Sequence, residues 1–218
     1  MRRPDAVPMT PRGAIVTGVG RQRGIAAAIC RALIQDGWNV LGSGWPAYDA
    51  AANWTVSAVD DINSLVADCR PGRLALRQID LESAMGAADL IEAGAARLPS
   101  LDARVVAHAR SLASGLADVT VEEFDRHVVV NARATLLLIA EFARRWRGAP
   151  GTGRIITFIS NPPLEGEIAY AASKRAVEWL TLSAAAELAA FLCSERGRSV
   201  TGQVLHVDRE WRAPFGVT

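Results

Sequence analysis

Tyr170 and Lys174 stand four residues apart in the run E-I-A-Y-A-A-S-K. On a helix that spacing puts both on one face, one turn from each other. A phenol is a poor acid or base at neutral pH, because its ordinary pKa is about 10. An ammonium on the same face favours phenolate and lowers that pKa. Of the 24 basic residues in this 218-residue chain, one is a lysine, and it is Lys174. Where positive charge alone is wanted, the sequence uses arginine. A lone lysine one turn after one of only two tyrosines therefore points to proton-transfer chemistry. A surface lysine on an amphipathic helix is the plainer alternative. The pair is reached through G-R-I-I-T-F-I-S-N-P-P, an apolar run that passes Ser160 and turns through two prolines.

Elements that could position such a pair recur along the chain. Residues 13–18 form a short apolar run ending in glycine, and 24–36 follow with helical periodicity and a stop at Gly37. Strands are expected at 38–43, 73–79, 104–108 and 154–159. Helices are expected near 58–69, over 83–98 and 121–147, and from about Glu167 onward. Residues 44–54 read as a loop. Strands alternating with helices of this length predict an α/β fold: one doubly wound, Rossmann-like parallel sheet with helices on both faces. Nothing divides residues 13–218, so they are expected to form a single domain after a disordered lead-in at 1–12.

Composition narrows the function classes. Half the residues are hydrophobic and the formal net charge is +1, with acids and bases interspersed, so neither a nucleic-acid nor a membrane surface is indicated. No apolar run reaches membrane-spanning length, and the opening residues lack the apolar core of a signal peptide. Cys30, Cys69 and Cys193 are odd in number and far apart, which fits reduced thiols in a cytoplasmic protein. His108, His127 and His206 lack metal-ligand spacing, and no metal site is expected.

Between the first strand and first helix lies T-G-V-G-R-Q-R-G-I-A, residues 17–26. Glycines here let the backbone approach a pyrophosphate, and the helix N-terminus supplies free N–H groups and the positive dipole end. Gly20 and Gly24 are one residue too far apart for G-x-G-x-x-G. An acid ending the second strand would bind an adenosine ribose and favour NAD. That region reads Leu41-Gly42-Ser43-Gly44-Trp45, without one. Arg21 and Arg23 could meet a 2′-phosphate instead, which favours NADP(H); solvated loop charges are the alternative.

Taken together, these residues resemble the short-chain dehydrogenase/reductase family, in particular its 3-oxoacyl-carrier-protein reductase-like branch. The resemblance covers nearly the whole chain. Thr17-Gly18 to Gly24-Ile25 resembles the family's T-G-x-x-x-G-I-G turn with two residues inserted and Ala26 in place of the last glycine. Asp80-Leu81 resembles the acidic position after strand three that holds the adenine amino group. Ala107-His108-Ala109-Arg110 stands where the family has N-N-A-G, and only Ala109 agrees. Asn131, Ser160 and the Tyr170/Lys174 pair match the family's catalytic set. The resemblance implies that Tyr170 exchanges a proton with the substrate oxygen and that Lys174 holds the nicotinamide ribose and lowers the tyrosine pKa. It implies that Ser160 hydrogen-bonds the substrate oxygen and that Asn131 positions a water relaying protons to Lys174. Gly18, Gly20, Arg21, Arg23, Gly24, Ile25, Asp80, Leu81 and Ala107, with Tyr170 and Lys174, would bind the cofactor. Taken singly, Ser160 could be a strand-ending cap, Asn131 a helix residue satisfying backbone, and Asp80 a helix N-cap.

Two departures from the family pattern bear on activity. The Ser160-to-Tyr170 loop is about three residues shorter than usual. After Lys174, A-A-A-E-L-A runs straight into A-F-L-C-S-E, where the family places a sixth strand and a substrate loop between similar segments. The chain is therefore expected to be shortened on its C-terminal side. Residues 172–195 are expected to form one unbroken helix, with 200–207 filling the sheet position beside strand five. The leading expectation is an NAD(P)-dependent oxidoreductase interconverting a carbonyl and a secondary alcohol. The alternative is a cofactor-binding or scaffold protein of the same fold with little turnover. A homodimer or homotetramer through helices 121–147 and 168–193 is expected.

Overall fold

In a computed structural model of the chain, the structure describes residues 11–52, 58–148, 153–160 and 165–192. Strand β1 (Gly13–Thr17) is buried at every position, as a central strand covered on both faces must be. It pairs in parallel with β2 (Asn39–Gly44) on one side and β4 (Ala103–Val106) on the other. Outside these lie β3 (Leu74–Gln78) and β5 (Arg154–Thr157), giving one five-stranded parallel sheet in the order β3-β2-β1-β4-β5. The chain thus runs outward from β1 to β3, then returns to the other side of β1. That reversal opens a crevice at the C-terminal ends of β1 and its two neighbours, where open α/β sheets bind ligands.

The helices are α1 (Ile25–Gln35), α2 (Pro46–Ala51), α3 (Ala58–Ala67), α4 (Gly86–Arg97), α5 (Val121–His127), α6 (Ala134–Arg145) and α7 (Ile168–Leu192), with a π-helical turn, Val128–Arg133, joining α5 to α6. The strand period of two sends alternate residues to opposite faces, and two cores result. Val16, Val40, Leu74 and Val105 pack against Ala27, Cys30 and Ile34 of α1 and Leu65 of α3. Ile15 and Leu41 pack against Leu90 and Ile91 of α4 and Leu138 and Phe142 of α6. Each fully buried aliphatic side chain of this kind contributes about 1.5–3 kcal/mol.

The doubly wound architecture expected from the alternation is therefore found, and the expected strands and longer helices fall where the periodicity puts them. One region is corrected. Residues 46–51 are not loop but α2, opened by Pro46 at its first position, where a fixed φ and a missing N–H carry no penalty. The long helix expected over 121–147 is also interrupted. Thr120 caps it by accepting from Glu123 N at 3.2 Å, and the π turn then widens it around Asn131. Helix α7 runs unbroken through Ala189-Ala190 to Leu192. The lead-in to residue 10, Cys193, His206 and the strand expected at 200–207 lie outside the described residues. β5 stands at the edge of the sheet among the described residues, with Ile156 47% exposed.

Candidate active site

Tyr170 and Lys174 sit in the first two turns of α7, facing the loops that follow β4 and β5. The Lys174 Nζ lies 6.0 Å from the Tyr170 ring centroid. Ser160, three residues past β5, lies close enough to the Tyr170 hydroxyl to act on its pKa. Lys174 is buried, and no described carboxylate lies within ion-pair distance of it; burial lowers its pKa from 10.5 to about 8. The phenol behaves differently from the expectation that Lys174 depresses it. Burial pushes the Tyr170 pKa up, the nearby Ser160 hydroxyl opposes this, and the Glu167 carboxylate adds to the rise. With Lys174 across the ring rather than at the hydroxyl, desolvation wins.

Asn131 is fully buried in the π turn and joins three elements. Its Nδ2 donates to Ser173 Oγ on α7 at 2.8 Å and to Arg110 O at 2.9 Å, while its Oδ1 accepts from Arg110 N at 2.6 Å. Both amide hydrogens are thereby used to fix the loop after β4 against α7. Ser173 in turn donates to Tyr170 O at 2.7 Å. The loop is held from other sides as well. Ser111 N donates to Tyr48 Oη at 2.8 Å, Ser114 N donates to Gly166 O at 2.7 Å, and Arg110 Nη2 pairs with Glu123 at 2.7 Å.

His108, where the family has an asparagine, proves to be structural. Its Nε2 faces Val130 O at 2.9 Å, and a carbonyl can only accept, so Nε2 carries the proton. Nδ1 then accepts from the Thr17 hydroxyl at 2.8 Å. Burial lowers the His108 pKa to about 3, with the nearby Lys174 and Arg104 charges adding, so the ring is neutral at physiological pH. It ties the end of β1 to the π turn that carries Asn131.

The glycine turn has the shape of a phosphate cradle. Gly18 has φ +82°, and a Cβ there would sit 2.7 Å from Ala107 O, so no other residue fits without strain. Gly24 opens α1, whose N-terminus has no side-chain cap and no acid in its first turn. Those N–H groups and the positive dipole end face the crevice and suit a pyrophosphate. Ile25 beside them is 67% exposed. Arg23 is exposed, whereas Arg21 Nε lies 3.9 Å from the carboxylate of Asp49. Asp80 accepts from Glu82 N at 2.8 Å, and Leu81 is buried in the α4 core. An uncapped helix end, a glycine cradle and a buried lysine with no described carboxylate to neutralise it together fit a nicotinamide dinucleotide.

The profile of the short chain dehydrogenase family matches residues 12–191. The chain belongs to the short-chain dehydrogenase family. The uncharacterized oxidoreductase YjdA of Bacillus subtilis (strain 168) is 33% identical over 182 residues, covering 81% of this chain and 68% of its own. A blue fluorescent protein from a metagenomic library, solved in complex with NADPH, superposes with a TM-score of 0.69 at 28% identity, over 82% of this chain and 69% of its own. A 3-oxoacyl-(acyl-carrier-protein) reductase from Agrobacterium tumefaciens C58, with NADP bound, does so with a TM-score of 0.64 at 26% identity, over 81% and 64%. The chain spans about two-thirds of the length of these relatives. Membership of the family and the NADPH-bound neighbour support a nicotinamide cofactor. No helix among the described residues is long and apolar enough to cross a membrane.

The short-chain dehydrogenase pattern located Asn131, Ser160, Tyr170 and Lys174, and the fold gathers the four around α7. It did not point to Ser173, Tyr48 or Asp49. Pro46 directly after Trp45 was the available sign that a helix, and not a loop, carries the last two.

Proposed function

We propose that the chain catalyses NAD(P)-dependent interconversion of a small carbonyl compound and its secondary alcohol, with Tyr170 as general acid/base. The observation that supports this most directly is the Ser160–Tyr170–Lys174 grouping: a hydroxyl near the phenol and a buried ammonium one turn away. Gly18 to Ile25 would hold the pyrophosphate, Asp80, Leu81 and Ala107 the adenine side, and Tyr170 with Lys174 the nicotinamide ribose. Once bound, the cofactor supplies or takes up the hydride. The protein's part is positioning and proton movement. Tyr170 keeps its proton at neutral pH and can donate it to a carbonyl oxygen, and in the reverse direction its phenolate takes the proton back from the alcohol. Ser160 stabilises charge developing on that oxygen. Asn131 holds the loop and α7 in register for both.

The second reading, a cofactor-binding scaffold with little turnover, draws on the exposed β5 beside the site. Leu136 on α6 and Trp179 on α7 are exposed, at 41% and 69%, and we assign them to a homodimer or homotetramer face of a cytoplasmic enzyme. Titration with NADH and NADPH, read through quenching of the six tryptophans, is expected to saturate below millimolar cofactor. A carbonyl panel should then reveal turnover that Tyr170→Phe lowers by at least about a hundredfold, with cofactor affinity kept. Turnover unchanged in that variant would refute the assigned acid.

A further inference from the structure

Asp49 takes no part in the reading above, yet it is the one buried acid among the described residues, at 8% exposure. It lies in the first turn of α2, five residues past the end of β2. Its carboxylate rests on Gly20 in the middle of the glycine turn, and a Cβ at position 20 would overlap it. A side chain at position 20 would displace the Asp49 carboxylate. The turn itself is seated on the end of β2, since Val19 N donates to Ser43 O at 2.8 Å. Helix α2 is tied to the loop after β4 by the residue next to Asp49: Tyr48 Oη accepts from Ser111 N at 2.8 Å and donates to Ser111 O at 3.3 Å. A dinucleotide with its pyrophosphate at the N-terminus of α1 carries its adenosine ribose between the glycine turn and the end of β2. That is the place Asp49 faces.

We propose that Asp49 is the carboxylate that receives the adenosine ribose hydroxyls, delivered from α2 instead of the end of β2, and that it makes this chain select NAD(H) over NADP(H). The inference rests on the proposed nicotinamide chemistry and runs against the expectation of NADP(H) drawn from Arg21 and Arg23. A carboxylate accepts from two hydroxyls but repels a 2′-phosphate, and low exposure leaves that repulsion poorly screened. Arg21 faces the carboxylate at 3.9 Å, so its charge is balanced there as long as Asp49 is present. Removing the Asp49 charge removes the repulsion and leaves the positive charge of Arg21 beside the place of the 2′-phosphate.

The test is fluorescence titration of the full chain with NADH and NADPH, alongside thermal melting. The wild type should bind NADH at least about tenfold tighter than NADPH. Asp49→Asn, which keeps the shape, and Asp49→Ser should each shift that ratio toward NADPH by at least about tenfold. Adding Arg21→Gln to Asp49→Asn should remove the gained NADPH affinity. A wild type that prefers NADPH, or a ratio that stays within about twofold in the variants while melting falls, makes Asp49 a packing residue and overturns the proposal. Binding of neither cofactor by the wild type overturns the oxidoreductase reading, and this proposal with it. The wild-type ratio alone decides the matter if the variants do not fold.

Discussion

β4 and β5 are neighbours in one parallel sheet, yet only β4 has the environment a parallel strand normally demands. All four of its residues are buried, and the loop that continues it is fixed by Thr17, Tyr48, Gly166 and Asn131. β5 alternates exposed and half-buried positions and leads directly to Ser160. The proposed cofactor side of the crevice is therefore built on a strand locked from both faces and both edges. The substrate side is built on a strand whose outer edge carries no partner among the described residues. Among the described residues the two strands thus differ in how well they are covered, and mutations can test that difference.

The largest effect is expected where the two sides meet. Lys174→Met should lower turnover by at least about a hundredfold. Stability should move the other way. The folded-state pKa of Lys174, about 8, lies below its ordinary 10.5, because burial penalises the charge. Below pH 8 both states carry the proton and the fold bears the desolvation cost. Between pH 8 and 10.5 the folded state loses its proton first, so wild-type stability should rise across that window. Urea melts at pH 7 and pH 9.5 check this: the variant should be at least as stable as the wild type at pH 7 and lack the rise. A wild type with a flat profile would remove the buried, charged lysine from the account.

Val105→Ala on β4 opens space in the α1 core and should cost about 2 kcal/mol in urea unfolding. The neighbouring position tests the same strand in the opposite sense. Arg104 is fully buried on the face of Ile15 and Ile155, and its Nε, Nη1 and Nη2 have no hydrogen-bond partner among the described residues; burial lowers its pKa to about 9. Arg104→Leu removes an uncompensated cation and should stabilise the fold by about 1–2 kcal/mol. The smallest effect is expected on β5, where Ile156→Thr should change stability by no more than about 0.5 kcal/mol. If that substitution costs as much as Val105→Ala, β5 is covered in solution, and the contrast between the two strands falls.

The local patterns were legible because they depend on neighbours in the chain. Apolar runs at 13–17 and 103–106 read as buried strands, the α1 periodicity read as a helix, and Tyr170 with Lys174 read as one helical face. The resemblance to a family with a known catalytic set extended this to Asn131 and Ser160. What stayed hidden depended on partners distant in sequence. Nothing near Asp49 in the chain shows that it rests on Gly20, 29 positions earlier. Nothing near His108 shows that it bridges Thr17 to Val130. The direction of the Tyr170 pKa is hidden for the same reason: helical spacing places Lys174 one turn away, but only packing decides how dry the phenol is. Periodicity and motif spacing are properties of the chain, so they choose the elements and the reacting groups. Desolvation and contact are properties of the packed molecule, so they decide which of those groups is charged, which is only a brace, and which acid meets the cofactor.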